Sequence, residues 1–106
     1  MLLWFIFKIR QIMEFGQAVE ALRKGEIVRR LIWGEDKFIV AQIPAKISHE
    51  NIDVIKSLPH KAKEIIKKNE NGITYKSQIL VVDKHNIASN WTPTSYDIFA
   101  VDWYVV

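Results

Sequence analysis

A chain of 106 residues, 49% hydrophobic and 25% charged, has the length and balance of one small globular domain. With no cysteine it excludes disulfides and thiolate metal sites. Its net charge of +3 is a mild excess, and the lysine-rich run His60–Lys68 that carries much of it has no arginine or aromatic interleaved, so no DNA or RNA polymer is expected as partner.

The first twelve residues, MLLWFIFKIRQI, form an apolar run interrupted by Lys8 and Arg10. The run is too short to span a bilayer and lacks a small-residue cleavage site. We read residues 1–12 as an extension, from an upstream start or an extra edge strand, and residues 13–106 as the domain. No membrane partner is expected.

From Phe15 to Leu22 apolar residues recur at Phe15, Ala18, Val19 and Leu22, the spacing of an amphipathic helix, with Gly25 as its stop. The stretch Ile27–Trp33, IVRRLIW, reads as a strand with Arg29, Leu31 and Trp33 on one face and Val28, Arg30 and Ile32 on the other. A turn at Gly34–Asp36 and a second strand, Lys37–Ile43, complete a hairpin. Beyond Pro44, Ser48 marks the start of a short helix over Glu50–Lys56, and a second short helix follows Pro59 over Lys61–Lys68. The lysine-rich run HKAKEIIKK there reads as a solvated helix face. Ile73–Asp83 reads as one long strand, Lys84–Asn86 as a turn, and the final DWYVV as the last strand. The pattern predicts an α+β fold: a twisted antiparallel sheet with an N-terminal helix and short helices in a middle insertion.

No catalytic constellation emerges. His49, His60 and His85 lack metal-ligand spacing, the four glycines form no phosphate loop, and no cofactor is expected. Asp97 follows Thr94 and Ser95 at a helix start, where capping is the plain reading of an acidic side chain. Two tryptophans stand near turns, Trp33 beside Arg29 and Trp91 before the hydroxyl-rich Thr92–Ser95. Such residues either pack a core or subunit interface, or stack on a base and hold an anion; composition alone favours packing. Phe99, Ala100 and Trp103 are expected in the core.

Three motifs in order shift that balance. MEFGQAVEALRKGEIVRRLIW (Met13–Trp33) resembles the opening of the Thoeris anti-defence type two family, FGxAxxxLxxGxxVxRxxW. QIPAKI, SLPHKAK and YKSQ resemble a subgroup's middle, and NWTPTSYDIFAVDWYVV resembles the closing W-x-P-[ST]-x-x-D-[ILMV]-x-A-x-D-W-x-[IV]. The resemblance implies a non-catalytic sponge: a homotetramer in the bacterial host's cytoplasm that sequesters glycocyclic ADP-ribose, a cyclic nucleotide immune signal, and with it blocks anti-phage defence. Some relatives also hold cyclic oligonucleotides. Carried onto this chain, the resemblance places adenine stacking on Trp33, and a ribose and phosphate pocket at Trp91, Thr92, Thr94 and Asp97, with Arg29 or Arg30 supplying positive charge. Asp102 and Trp103 fall on structural positions. GEDK at Gly34–Lys37 departs from the usual WNGK-like loop, which bears on ligand preference. The rival readings are a small nucleotide phosphodiesterase or nucleosidase using Asp97 or Asp102 as base, and an interaction module with no small ligand.

Overall fold

The computed structural model describes residues 11–106, and these fall into two compact units. Of the described residues, the larger holds those up to Gln42 and from Gln78 onward; the smaller is Ile43–Ser77. The reading of residues 1–12 falls, apart from Gln11 and Ile12, outside the described residues.

In the larger unit, α1 (Phe15–Arg23) runs as the apolar spacing predicts. Gln17 and Glu14 close a capping box at its start, and Gly25, at φ 88°, takes the left-handed turn at its end. The sheet has five antiparallel strands: β1 (Val28–Arg30), β2 (Lys37–Ala41), β5 (Ile79–Asp83), β6 (Ala88–Asn90) and β7 (Trp103–Val105). Their spatial order is β6-β5-β2-β1-β7. The last strand therefore lies beside the first, Val28 opposite Val105 and Arg30 opposite Trp103. A third helix, α3 (Ser95–Phe99), precedes β7. The core gathers Ala18 and Leu22 of α1, Val28 and Ile39 of the sheet, and the rings of Trp33 and Trp103. Alternation along the strands puts Val28, Arg30, Lys37, Ile39, Ala41, Ile79, Val81 and Trp103 on the face carrying that core.

The smaller unit contains β3 (Ala45–Ile47) paired antiparallel with β4 (Ile73–Tyr75), a 3-10 turn over His49–Val54 and α2 (His60–Ile66). Ile52 is its buried centre. Lys67 places its ammonium on both oxygens of Asp53, and Lys63 donates to the Asp53 carbonyl. Two lysines of the basic run are thus spent on holding α2 to the preceding turn. Gly72, at φ 71°, passes so close to the Ile47 carbonyl oxygen that a Cβ there would collide with it.

The α+β class and the β1–β2 hairpin agree with the sequence. Several boundaries do not. The expected strand Ile27–Trp33 stops at Arg30, and Leu31–Trp33 coils into a 3-10 turn. The pairing continues one step, the Asp102 carbonyl accepting from the Leu31 amide at 3.0 Å, and then the Asp102 carboxylate takes the Ile32 amide at 3.3 Å and the backbone turns away from the ladder. Arg29 and Trp33 accordingly do not share a strand face. The expected helix Glu50–Lys56 is the 3-10 turn His49–Val54, and that over Lys61–Lys68 is α2, ending at Ile66. The single strand Ile73–Asp83 is two, separated by the exposed Lys76–Gln78 and belonging to different sheets. Strands β3 and β6 carry too little apolar alternation to be read from sequence. Phe99 is not core: it is 82% exposed, as is its neighbour one turn back, Tyr96, at 85%. Asp97 takes the inward side of this short helix, which turns Tyr96 and Phe99 (i, i+3) outward together.

Candidate functional site

Four aromatic rings meet on the core face. Trp103 is fully buried, and its ring nitrogen donates to the Asp97 carbonyl at 2.9 Å, satisfying the polar atom that makes buried tryptophan costly. Trp33 packs edge-on against it, with ring centroids 5.1 Å apart at 82°. Trp91 continues Trp33 and Trp103 in edge-to-face contacts at 6.2 and 6.0 Å, and Phe15 of α1 touches Trp91 and Trp103. Trp33 is 9% exposed, whereas Trp91 is half-buried. The amide of Trp91 donates to the Ile79 carbonyl, so the segment that carries it starts as a continuation of β6 along β5.

Arg30, Asp97 and Asp102 form a largely buried ion triad. Arg30 sits on the core face, its side chain 13% exposed, and a guanidinium there needs anionic partners. It has two: Nε donates to Asp102 Oδ1 at 2.9 Å and Nη1 to Asp97 Oδ1 at 3.2 Å. The other oxygen of Asp97 accepts from the amide and the hydroxyl of Thr94, at 2.9 and 3.0 Å. The Asp97 amide donates back to Thr94 Oγ1 at 3.2 Å, closing a capping box around the start of α3. Arg30 therefore ties two loops together. Through Asp102 it holds the turn that presents Trp33, and through Asp97 it holds the Trp91–Thr94 segment.

Burial pushes the Asp97 carboxyl up, but the Thr94 amide and hydroxyl and the Arg30 guanidinium outweigh it and hold the group below its ordinary value of 3.8. A carboxylate with depressed pKa contributes stability that is present above its unfolded value and lost as pH falls through its folded value. Asp97→Asn is therefore expected to lower stability at neutral pH and to flatten the acid limb of the stability curve. Urea unfolding midpoints taken from pH 7 down through 3.8 check this. An unchanged acid limb would mean that the triad does not couple to folding.

Of the residues singled out from sequence, the structure brings Trp33, Trp91, Thr94 and Asp97 into one neighbourhood. Thr92 is exposed beside Trp91. Arg29 is elsewhere: strand alternation turns it to the opposite face from Arg30, where its Nε donates to the Tyr104 hydroxyl at 2.8 Å. At the start of α3 the amides of Thr94 and Asp97 are engaged by the capping box. Arg30 and Asp102 were underweighted, though counting by two from the apolar Val28 puts Arg30 on the core side, where it must find carboxylates. Lys37 was missed: its ammonium lies 4.7 Å from the Trp33 ring centroid. Among the described residues no three histidine, aspartate or glutamate side chains converge as metal ligands, and no helix is long and apolar enough to cross a membrane.

A W-x-P-T segment tied to a D-W strand start, beside a tryptophan turn, is an arrangement that similar chains can be compared for. A family model described as Tad2-like, the Thoeris anti-defense 2-like domain, matches residues 13–106. The chain belongs to the Thoeris anti-defense 2-like family. Both the Trp33 turn and the Trp91–Asp97 segment lie inside the matched span of this Tad2-like domain, and the family's name assigns it an anti-defence role. No curated protein matches the chain significantly.

Proposed function

We propose that this Tad2-like domain is a sponge: it binds a cyclic nucleotide immune signal of the glycocyclic ADP-ribose type and withholds it, without cleaving it. The observation that carries this reading is the fate of the two aspartates a hydrolytic enzyme would need. Asp97 and Asp102 both serve Arg30, and Asp97 is held in its charged form with its oxygens fully engaged. A carboxylate so placed is a poor general base, since proton transfer favours a group whose pKa lies near the working pH. What the neighbourhood offers is aromatic surface. The partly exposed Trp91 and the adjoining Trp33 supply stacking for an adenine, and the exposed Thr92 follows Trp91 in the chain. Arg29 and Arg30 act through structure, and Thr94 and Asp97 shape the pocket wall.

Sequestration needs affinity and slow release, not complementarity to a transition state. The protein is taken to act in the host cytoplasm as a homotetramer. Supporting assembly, α3 and its flank expose Tyr96, Phe99 and Val101, an apolar surface of the kind that subunit contacts cover.

The test is mass spectrometry of small molecules released by heat from protein purified after exposure to the signal, together with its native mass. Recovery of the intact cyclic nucleotide from a four-subunit species is expected. Recovery of hydrolysed product alone would promote the phosphodiesterase reading, and no nucleotide at all the interaction-module reading.

A further inference from the structure

The cation closest to the aromatic cluster has no part in the triad. Lys37 opens β2 opposite Asp83 and, by alternation with the buried Ile39, projects on the face that carries the tryptophans. Its cross-strand neighbour does not neutralise it: Asp83 Oδ1 accepts instead from the backbone amides of His85 and Ile87, fixing the β5–β6 turn. Among the described residues no carboxylate forms an ion pair with Lys37. Its ammonium rests over the Trp33 ring. The other two basic side chains of this neighbourhood are committed, Arg30 to two aspartates and Arg29 to the Tyr104 hydroxyl on the opposite face.

We infer that Lys37 is the anion-binding and specificity residue of the site: it neutralises a phosphate of the nucleotide while the base takes the ring surface it now covers. This rests on the nucleotide-binding reading above. The chemistry of the exchange is simple. A single cation–π contact is weak, and an ammonium resting on a ring has less hydration to lose on meeting a phosphate. Without a carboxylate partner, Lys37 breaks no ion pair when it turns to the ligand. The flexible four-carbon stem lets the charge swing about a fixed β2 backbone, whereas Arg30 cannot move without leaving two buried carboxylates unpaired. One residue thus does two tasks: it covers Trp33 and it supplies charge to a bound phosphate. The same exchange makes an uncharged nucleoside a poor ligand, because it would displace Lys37 and give it nothing in return.

Calorimetric titration of the full chain with glycocyclic ADP-ribose, comparing wild type with Lys37→Met and Lys37→Arg at low and high salt, tests this. Lys37→Met is expected to weaken binding about tenfold or more, the value of one charge-assisted contact. It should also flatten the salt dependence and leave the melting temperature unchanged, while Lys37→Arg stays close to wild type. Wild-type affinity in Lys37→Met, or a Lys37→Arg protein as weak as Lys37→Met, would overturn the assignment while leaving the sponge intact. No uptake by the wild type would sink the sponge reading and this assignment with it.

Discussion

Arg30→Ala is expected to be the most damaging single change in the site, costing about 3–5 kcal/mol of folding stability. The cost is not the worth of two ion pairs. It is the penalty of leaving Asp97 and Asp102 charged at 11% and 20% side-chain exposure with no cation between them. At roughly 4–8 °C of melting temperature per kcal/mol for a domain near this size, the loss reads out as tens of degrees. Replacing the triad together, Arg30→Met with Asp97→Asn and Asp102→Asn, should recover much of it, because the remaining groups are neutral. Urea unfolding of the three proteins, wild type included, separates these outcomes. An Arg30→Ala variant within about 1 kcal/mol of wild type would place the triad among solvated surface pairs. Even the rescued triple variant should bind nucleotide poorly, since Asn at 97 and 102 cannot hold the Trp33 turn and the Trp91–Thr94 segment in register through a shared guanidinium.

Trp103→Ala should cost about 3–5 kcal/mol by a different route, the cavity left by a large ring. This ring is fully buried and touches Phe15, Trp33 and Trp91. Its loss also strands the Asp97 carbonyl, which accepts from the indole nitrogen. Trp103→Phe keeps most of the packing and gives up the hydrogen bond, so it should cost about 1–3 kcal/mol. Thermal unfolding followed by near-ultraviolet circular dichroism checks both, because the coupled indoles dominate that signal. If the alanine variant melted like wild type, Trp103 would not be the keystone of the aromatic cluster. Trp33 and Trp91 lean on the ring of Trp103, so the variant should lose nucleotide uptake together with the fold. The Lys37 variants, by contrast, should lose affinity alone.

The amphipathic spacing from Phe15 to Leu22 and the hairpin were legible because a helix face and a strand pair are local patterns, written within ten or so residues. The division of ITYKSQILVVD was not. Its two apolar ends look alike, and only their partners, β3 for one and β2 for the other, reveal that the polar Lys76–Gln78 is a break. Phe99 failed for a related reason. An aromatic residue beside a buried tryptophan looks like core until the rotation of a five-residue helix, set by the inward Asp97, turns it to solvent. Site residues divided in the same way. Trp33, Trp91, Thr94 and Asp97 carry their own signals in residue type and family motif. Arg30 and Lys37 stand in the same motifs, but a basic side chain gains its role only from what the fold sets against it.

By itself, then, the amino-acid order determined the class of fold, the family, and which residues were chemically worth following, since these depend on hydrophobic period and on motifs contiguous in the chain. The tertiary structure alone decided that Asp102 bends Leu31–Trp33 out of the strand, that Arg30 and not Arg29 joins the two loops, and that Lys37 covers Trp33. The first two are contacts between residues far apart in sequence, made when β7 returns to lie beside β1, and the third is made when a turn folds Lys37 back over a ring four residues away. Burial then converts those meetings into energy: a charge or a ring nitrogen taken from water must find its partner, and the partner's identity is set by topology.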